Sequence, residues 1–156
     1  MITNSILGEV HLYSALLATL LGTIILVCKK GTKTHKRIGY AYAASMLVLN
    51  ITALMIYRLF GTFGIFHYAA IISLITLMAG MIPIMVKRTD QAMMHHVSWM
   101  YWSVIGLYAA FVSETLTRIP DKPFFTMLAV AVTITMLAGS IGFKKYKIQW
   151  KTKFSN

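Results

Sequence analysis

The chain has 156 residues, 58% of them hydrophobic and 12% charged, with a formal net charge of +11. An ordinary soluble domain carries about 25% charged residues, so this composition excludes disorder and argues against a soluble fold. The positive charge does not mark a nucleic-acid binder, because the basic residues cluster between apolar runs, where they set topology and meet anionic lipid. Cys28 is the single cysteine, so no disulfide forms within the chain.

The sequence predicts one transmembrane domain over residues 1–156: an all-α integral membrane bundle with a four-helix up-down core and a peripheral fifth helix. Five apolar spans can be drawn, at about Leu7–Cys28, Ile38–Phe60, Ile65–Val86, Val97–Leu116 and Phe124–Phe143. At about 1.5 Å per residue, each is long enough to cross a hydrocarbon core of about 30 Å. The first span lacks the basic leader of a cleaved signal peptide. Its basic residues follow it instead, as expected of a retained helix that starts outside.

On span one, His11, Ser14, Ala15, Ala18 and Gly22 recur at helical spacing and form a stripe of small residues. On span two, His35, Gly39, Tyr42, Ala43, Met46 and Asn50 do the same, and Asn50 in mid-span calls for a partner on a neighbouring helix. Pro83 is placed to kink span three near its end, and Thr89 or Asp90 is placed to cap the next helix. Span four runs from His96 towards Arg118. His96, Ser103, Gly106, Ala110 and Glu114 share one side of it, and Trp99, Trp102, Ile105 and Phe111 share the other. Residues 144–156 form a basic tail with interleaved aromatics, expected in the cytoplasm at the headgroup level.

The connections are short, so neighbouring helices run antiparallel. Lys29, Lys30, Lys33, Lys36, Arg37, Lys87, Arg88, Lys144, Lys145, Lys147, Lys151 and Lys153 then fall on one side, and only Arg58, Arg118 and Lys122 on the other. The positive-inside rule predicts a multi-pass protein of the cell membrane, N-terminus outside and C-terminus in the cytoplasm.

The histidines carry the chemistry. His11, His35, His67 and His96 stand near the N-terminal ends of the first four spans, alternating between the two sides of the membrane. They make an outer pair, His11 with His67, and an inner pair, His35 with His96. Facing helices of a bundle can hold haem iron between two imidazoles, which closes both axial positions and favours electron transfer over substrate chemistry. The expected cofactor is haem b, with four histidines as iron ligands and Lys36, Arg37 and Arg58 near enough to pair with propionates. The reading is a transmembrane electron carrier, a subunit of an oxidoreductase, with the lipid bilayer, a quinol or another electron donor and a membrane complex as partners.

Two other readings stand beside it. Glu9, His11, Arg58, His67, Glu114 and Arg118 gather on the outer side, and His with carboxylate suits zinc or iron, which fits a metal-binding or transport protein. An ion pair of Glu114 with Arg58 or Arg118, buried enough to be costly to break, is the simpler account of that cluster. The third reading is a non-enzymatic assembly factor or complex subunit held by its small-residue faces. No catalytic triad, phosphate loop or metalloprotease motif is present, so no catalytic residue is assigned.

Several segments resemble a family. THKRIGYAYAASM, FGIFHYAAIISLITL, His96-Val97-Ser98-Trp99-Met100 and GLYAAFVSETLTRIP are similar to motifs of the prokaryotic membrane proteins called domain of unknown function 2306, over about His11 to Pro120. The resemblance implies that His35, His67 and His96 are motif positions and that His95 is not; it implies no activity. The alternation of histidines is also similar to that in di-haem transmembrane cytochromes b, which carry electrons from ascorbate or quinol. That second likeness is one of architecture alone.

Overall fold

The computed structural model describes residues 5–57, 61–86, 88–118 and 123–154, and for residues 151, 153 and 154 the backbone alone. Arg58, Lys87 and Lys122 lie outside the described residues, and so does the end of the expected second span. The described chain is helical: α1 (Ile6–Val27), α2 (Lys33–Met55), α3 (Ile65–Val86), α4 (Asp90–Leu116) and α5 (Phe124–Phe154). Helices α1, α2, α3 and α5 are long and apolar enough to cross a membrane. Helix α4 is long enough at 27 residues. It is less apolar because two histidines, three serines and four Trp or Tyr side chains interrupt it.

The helix ends follow from local chemistry. Ser5 Oγ accepts from Gly8 N at 3.2 Å and Thr32 Oγ1 from His35 N at 3.1 Å, each satisfying an orphan donor of a first turn. Thr89, one of the two expected caps, accepts from Ala92 N at 3.2 Å. At the other end of α1, Lys30 Nζ reaches back to the carbonyls of Ile25, Leu26 and Cys28 and takes up acceptors that the helix leaves open. Gly31, at φ 86°, then turns the chain into α2. Helix α2 ends at Met55, short of the expected Phe60, because Ile56 leaves helical geometry at ψ 103°.

The chain forms two compact units, Met1–Ile75 and Thr76–Asn156. In the first, α1 and α2 pack antiparallel. Their buried residues are Ser14, Ala18, Gly22 and Ile25 on α1, facing a side of α2 that includes Tyr42, Ala43, Met46 and Asn50. These are largely the stripes read from the sequence. Leu16, Leu17, Leu20, Ile51, Ile72 and Ile75 are exposed. Apolar side chains bared over so much of a helix face belong against lipid.

In the second unit α4 is the enclosed helix, with Val97, Met100, Tyr101, Ser103, Val104, Ile105, Leu107 and Ala109 all buried. Their spread around the helix exceeds one stripe, so α4 meets protein on more than one side and tolerates a polar sequence that lipid would not. Trp99 and Phe111 are partly exposed, whereas Ile105, expected beside them, is buried. Helix α5 packs antiparallel to α4 through two glycines. A Cβ on Gly139 would lie 2.6 Å from Ile105 Cγ2, and one on Gly142 would lie 2.5 Å from the Tyr101 hydroxyl. That close approach lets Tyr101 OH donate to the Gly139 carbonyl at 2.8 Å. Helix α5 continues through the basic segment, and Trp150 is buried, its ring 5.9 Å from that of Tyr101.

The contact between α4 and α5 is testable. Tyr101→Phe should lower stability in detergent by on the order of 1 kcal/mol, one hydrogen bond. Gly139→Leu, which must displace Ile105, should cost more. Unchanged thermal midpoints in both variants would contradict this packing.

Candidate functional site

The site is best built from the ring nitrogens, because what each Nδ1 bonds to fixes what Nε2 can do. His96, two turns into α4, places Nδ1 2.8 Å from the carbonyl oxygen of Gly80. A carbonyl only accepts, so Nδ1 carries the hydrogen and Nε2 keeps its lone pair. The contact depends on Gly80 itself. A Cβ there would lie 2.7 Å from Met100 Sδ and 3.3 Å from Met100 N, so a side chain at this position would push that of Met100 aside and crowd the backbone of α4. Pro83 lies within the same helix and removes a backbone donor one turn beyond Ala79, which loosens the ladder beside Gly80.

His11 has a similar arrangement. Its Nδ1 is 3.1 Å from Thr52 Oγ1. The single hydroxyl hydrogen of Thr52 is directed at the carbonyls of Val48 and Leu49, at 2.8 and 2.9 Å. The threonine oxygen is therefore the acceptor, and His11 donates from Nδ1. His35 places Nδ1 3.5 Å from Cys28 Sγ, and the sulfur is 3.9 Å from the Lys29 carbonyl. With the thiol hydrogen turned to that carbonyl, the sulfur is a weak acceptor for Nδ1–H.

His67 is reversed. Gly64 N–H donates to its Nδ1 at 3.0 Å, so the ring hydrogen of the neutral imidazole sits on Nε2. His67 is 4% exposed, and Nε2 is buried with no hydrogen-bond partner among the described residues. The rings of Tyr57 and Phe63 lie against it, each 4.6 Å away between centroids. His95 is exposed, as its place 100° around the helix from His96 implies.

The expected pairs divide between the two units as follows. His11 and His67 both belong to the first unit, each with its own partners, while His35 belongs to the first unit and His96 to the second. On the expected outer side, Arg118 Nη2 and Glu114 Oε2 are 3.7 Å apart, one helical turn along α4. The side chains are 62% and 36% exposed, so the pair is not the buried one expected. An exposed pair of this spacing contributes about 0.3–0.5 kcal/mol, far less than a buried pair. Arg58, the other expected partner, lies outside the described residues. Among the described residues no three His, Cys, Asp or Glu side chains gather to hold a metal ion. Among the described residues, Asn50 Nδ2 is buried without the partner its position called for, and Ser113 Oγ is likewise unsatisfied.

Thr52, Gly64 and Gly80, which orient the imidazoles, are the residues that the sequence reading missed. Gly80 had a faint signal, a glycine three residues before an intrahelical proline. Thr52 and Gly64 had none.

These helices and their lipid-facing sides define a helical membrane protein. The family model described as predicted membrane protein (DUF2306), the domain of unknown function 2306, matches residues 8–145, and the chain belongs to that family. No curated protein and no solved structure matches the chain.

The tautomers can be read directly. In ¹⁵N spectra of histidine-labelled protein at neutral pH, His11 and His96 should be protonated at Nδ1 and His67 at Nε2. One tautomer shared by all three would overturn the site as described.

Proposed function

We propose that the chain is a b-type haem-binding transmembrane electron carrier, with His35 and His96 as the axial pair. The observation that carries this reading is the Nδ1–H of His96 held on the Gly80 carbonyl. Metal-ligating histidines commonly donate their second ring N–H to a carbonyl or carboxylate, which fixes the ring and makes the ligating nitrogen more basic. His11 and Thr52 repeat the arrangement, and His35 with Cys28 repeats it weakly. The pairing of His35 with His96 comes from the alternation of histidines along the sequence.

The outer pair fits less well. For His67 to offer the Nε2 lone pair, its hydrogen would have to move to Nδ1, where Gly64 N–H already points. His11 is suitably oriented, but His67 in this tautomer is a donor. The expectation of two bis-histidine sites therefore narrows to the inner one.

A haem iron held by two imidazoles accepts and gives single electrons with no position open to substrate. The residues of this chain supply the rest. Gly80 and Thr52 fix imidazole tautomers, and the exposed Lys36 and Arg37 on the first turns of α2 offer cations for propionates. His96 is half-buried on α4, beside the buried Val97 and Met100. The protein lies in the cell membrane with its N-terminus outside. The twelve basic residues named above, set against Arg58, Arg118 and Lys122, support that orientation.

Two measurements test the reading. Protein expressed with added haem should show a Soret band with sharp α and β bands on reduction, and about one haem per chain by pyridine haemochrome, as one bis-histidine site requires. His35→Ala and His96→Ala should abolish these bands, whereas His95→Ala should keep them. A folded, colourless wild type would refute the assignment. For the orientation, reporter fusions at Lys151 and within Gly61–Gly64 should report opposite sides, and the same side for both would sink it.

A further inference from the structure

His67 carries a second inference, independent of haem. Gly64 settles that its Nε2–H is a donor, and among the described residues it is buried without an acceptor. The side chains against the ring are not core residues. Tyr57 is 46% exposed and Phe63 is 45% exposed, and Tyr68 stands edge-on to Phe63 at 5.0 Å. This end of the first unit thus presents two half-exposed aromatic rings against the His67 ring, with Tyr68 beside the second.

We propose that His67, with Tyr57 and Phe63, is a binding site for the carbonyl oxygen of a lipid-soluble quinone. Each part of the ligand follows from the residues. The imidazole gives one nitrogen to a backbone N–H and so is neutral, and a neutral donor among aromatic rings suits a neutral carbonyl better than a carboxylate. The exposed faces of Tyr57 and Phe63 suit stacking by a flat ring. Tyr68, Ile72 and Ile75 continue from the site along α3 as an exposed row at helical spacing, a track for an isoprenoid tail. An acceptor reaches Nε2 when one of the half-exposed rings swings aside, with no change in the helices. A trapped water molecule would satisfy the N–H but would leave the aromatic wall without a purpose.

The test uses the full-length chain in phosphatidylcholine nanodiscs, titrated with decylubiquinone, and reads both the ¹⁵N resonance of His67 Nε2 and quinone retained above that of empty discs. Wild type should bind saturably and shift that resonance. His67→Asn keeps an acceptor for Gly64 N–H but has no donor at the Nε2 position. It should keep its thermal midpoint and bind about tenfold more weakly, the loss of one hydrogen bond. His67→Gln carries a donor out to that position and should stay within about threefold of wild type. Retention no greater than that of empty discs, or equal binding by wild type and His67→Asn, would overturn the proposal. So would an unmoved Nε2 resonance, the result expected of water alone. The titration is run on haem-free protein as well, so that the fate of the haem reading does not decide the outcome.

Discussion

A hydrocarbon solvent offers no hydrogen bonds, and that constraint orders the polar atoms of this chain. Each imidazole nitrogen must find its partner within the protein or keep it for a ligand. Gly80 O takes the hydrogen of His96, Thr52 Oγ1 that of His11, and the backbone of Gly64 gives one to His67. Two of these Nδ1 atoms donate and one accepts, and that direction decides whether Nε2 is a base or a donor. The same side-chain type thereby serves opposite chemistry on α1 and α4 compared with α3.

Glycine enforces the geometry on the second unit. At Gly80, Gly139 and Gly142 the partner helix occupies the space of a side chain. Without a hydrophobic drive between helices in lipid, close backbone approach is a main source of association. It also brings backbone carbonyls within reach of His96 and Tyr101. Packing and site orientation are therefore one feature on α4, since the residue that admits Met100 also presents the acceptor for His96.

The helices were legible in the sequence because long apolar runs and basic loops are coarse signals, averaged over many residues. The bounds of α3 and the stripe on α1 came out as read, since a helix displays its period without reference to its neighbours. The end of α2 did not, because nothing in the apolar run signals that Ile56 turns extended. The histidines were legible as candidates and their motif positions as a resemblance. Their tautomers were not, because these depend on Thr52, 41 residues from His11, and on Gly80, 16 residues from His96. The Glu114–Arg118 spacing was visible in the sequence, but its exposure was not, as burial is a property of the packed helices.

Helix α5 has a geometric consequence of its own. Its 31 residues make a rod of about 46 Å, against a hydrocarbon core of about 30 Å. No break separates the apolar portion from the stretch bearing Lys144, Lys145 and Lys147, and Lys147 lies 5.7 Å over the Phe143 ring. The rod therefore serves as a gauge. In a thinner bilayer its surplus length must be taken up by tilt or by protrusion of the lysines, and in a thicker one by drawing them toward the headgroups. Because Trp150 is lodged against Tyr101, such a tilt is levered onto α4 and the imidazole it carries.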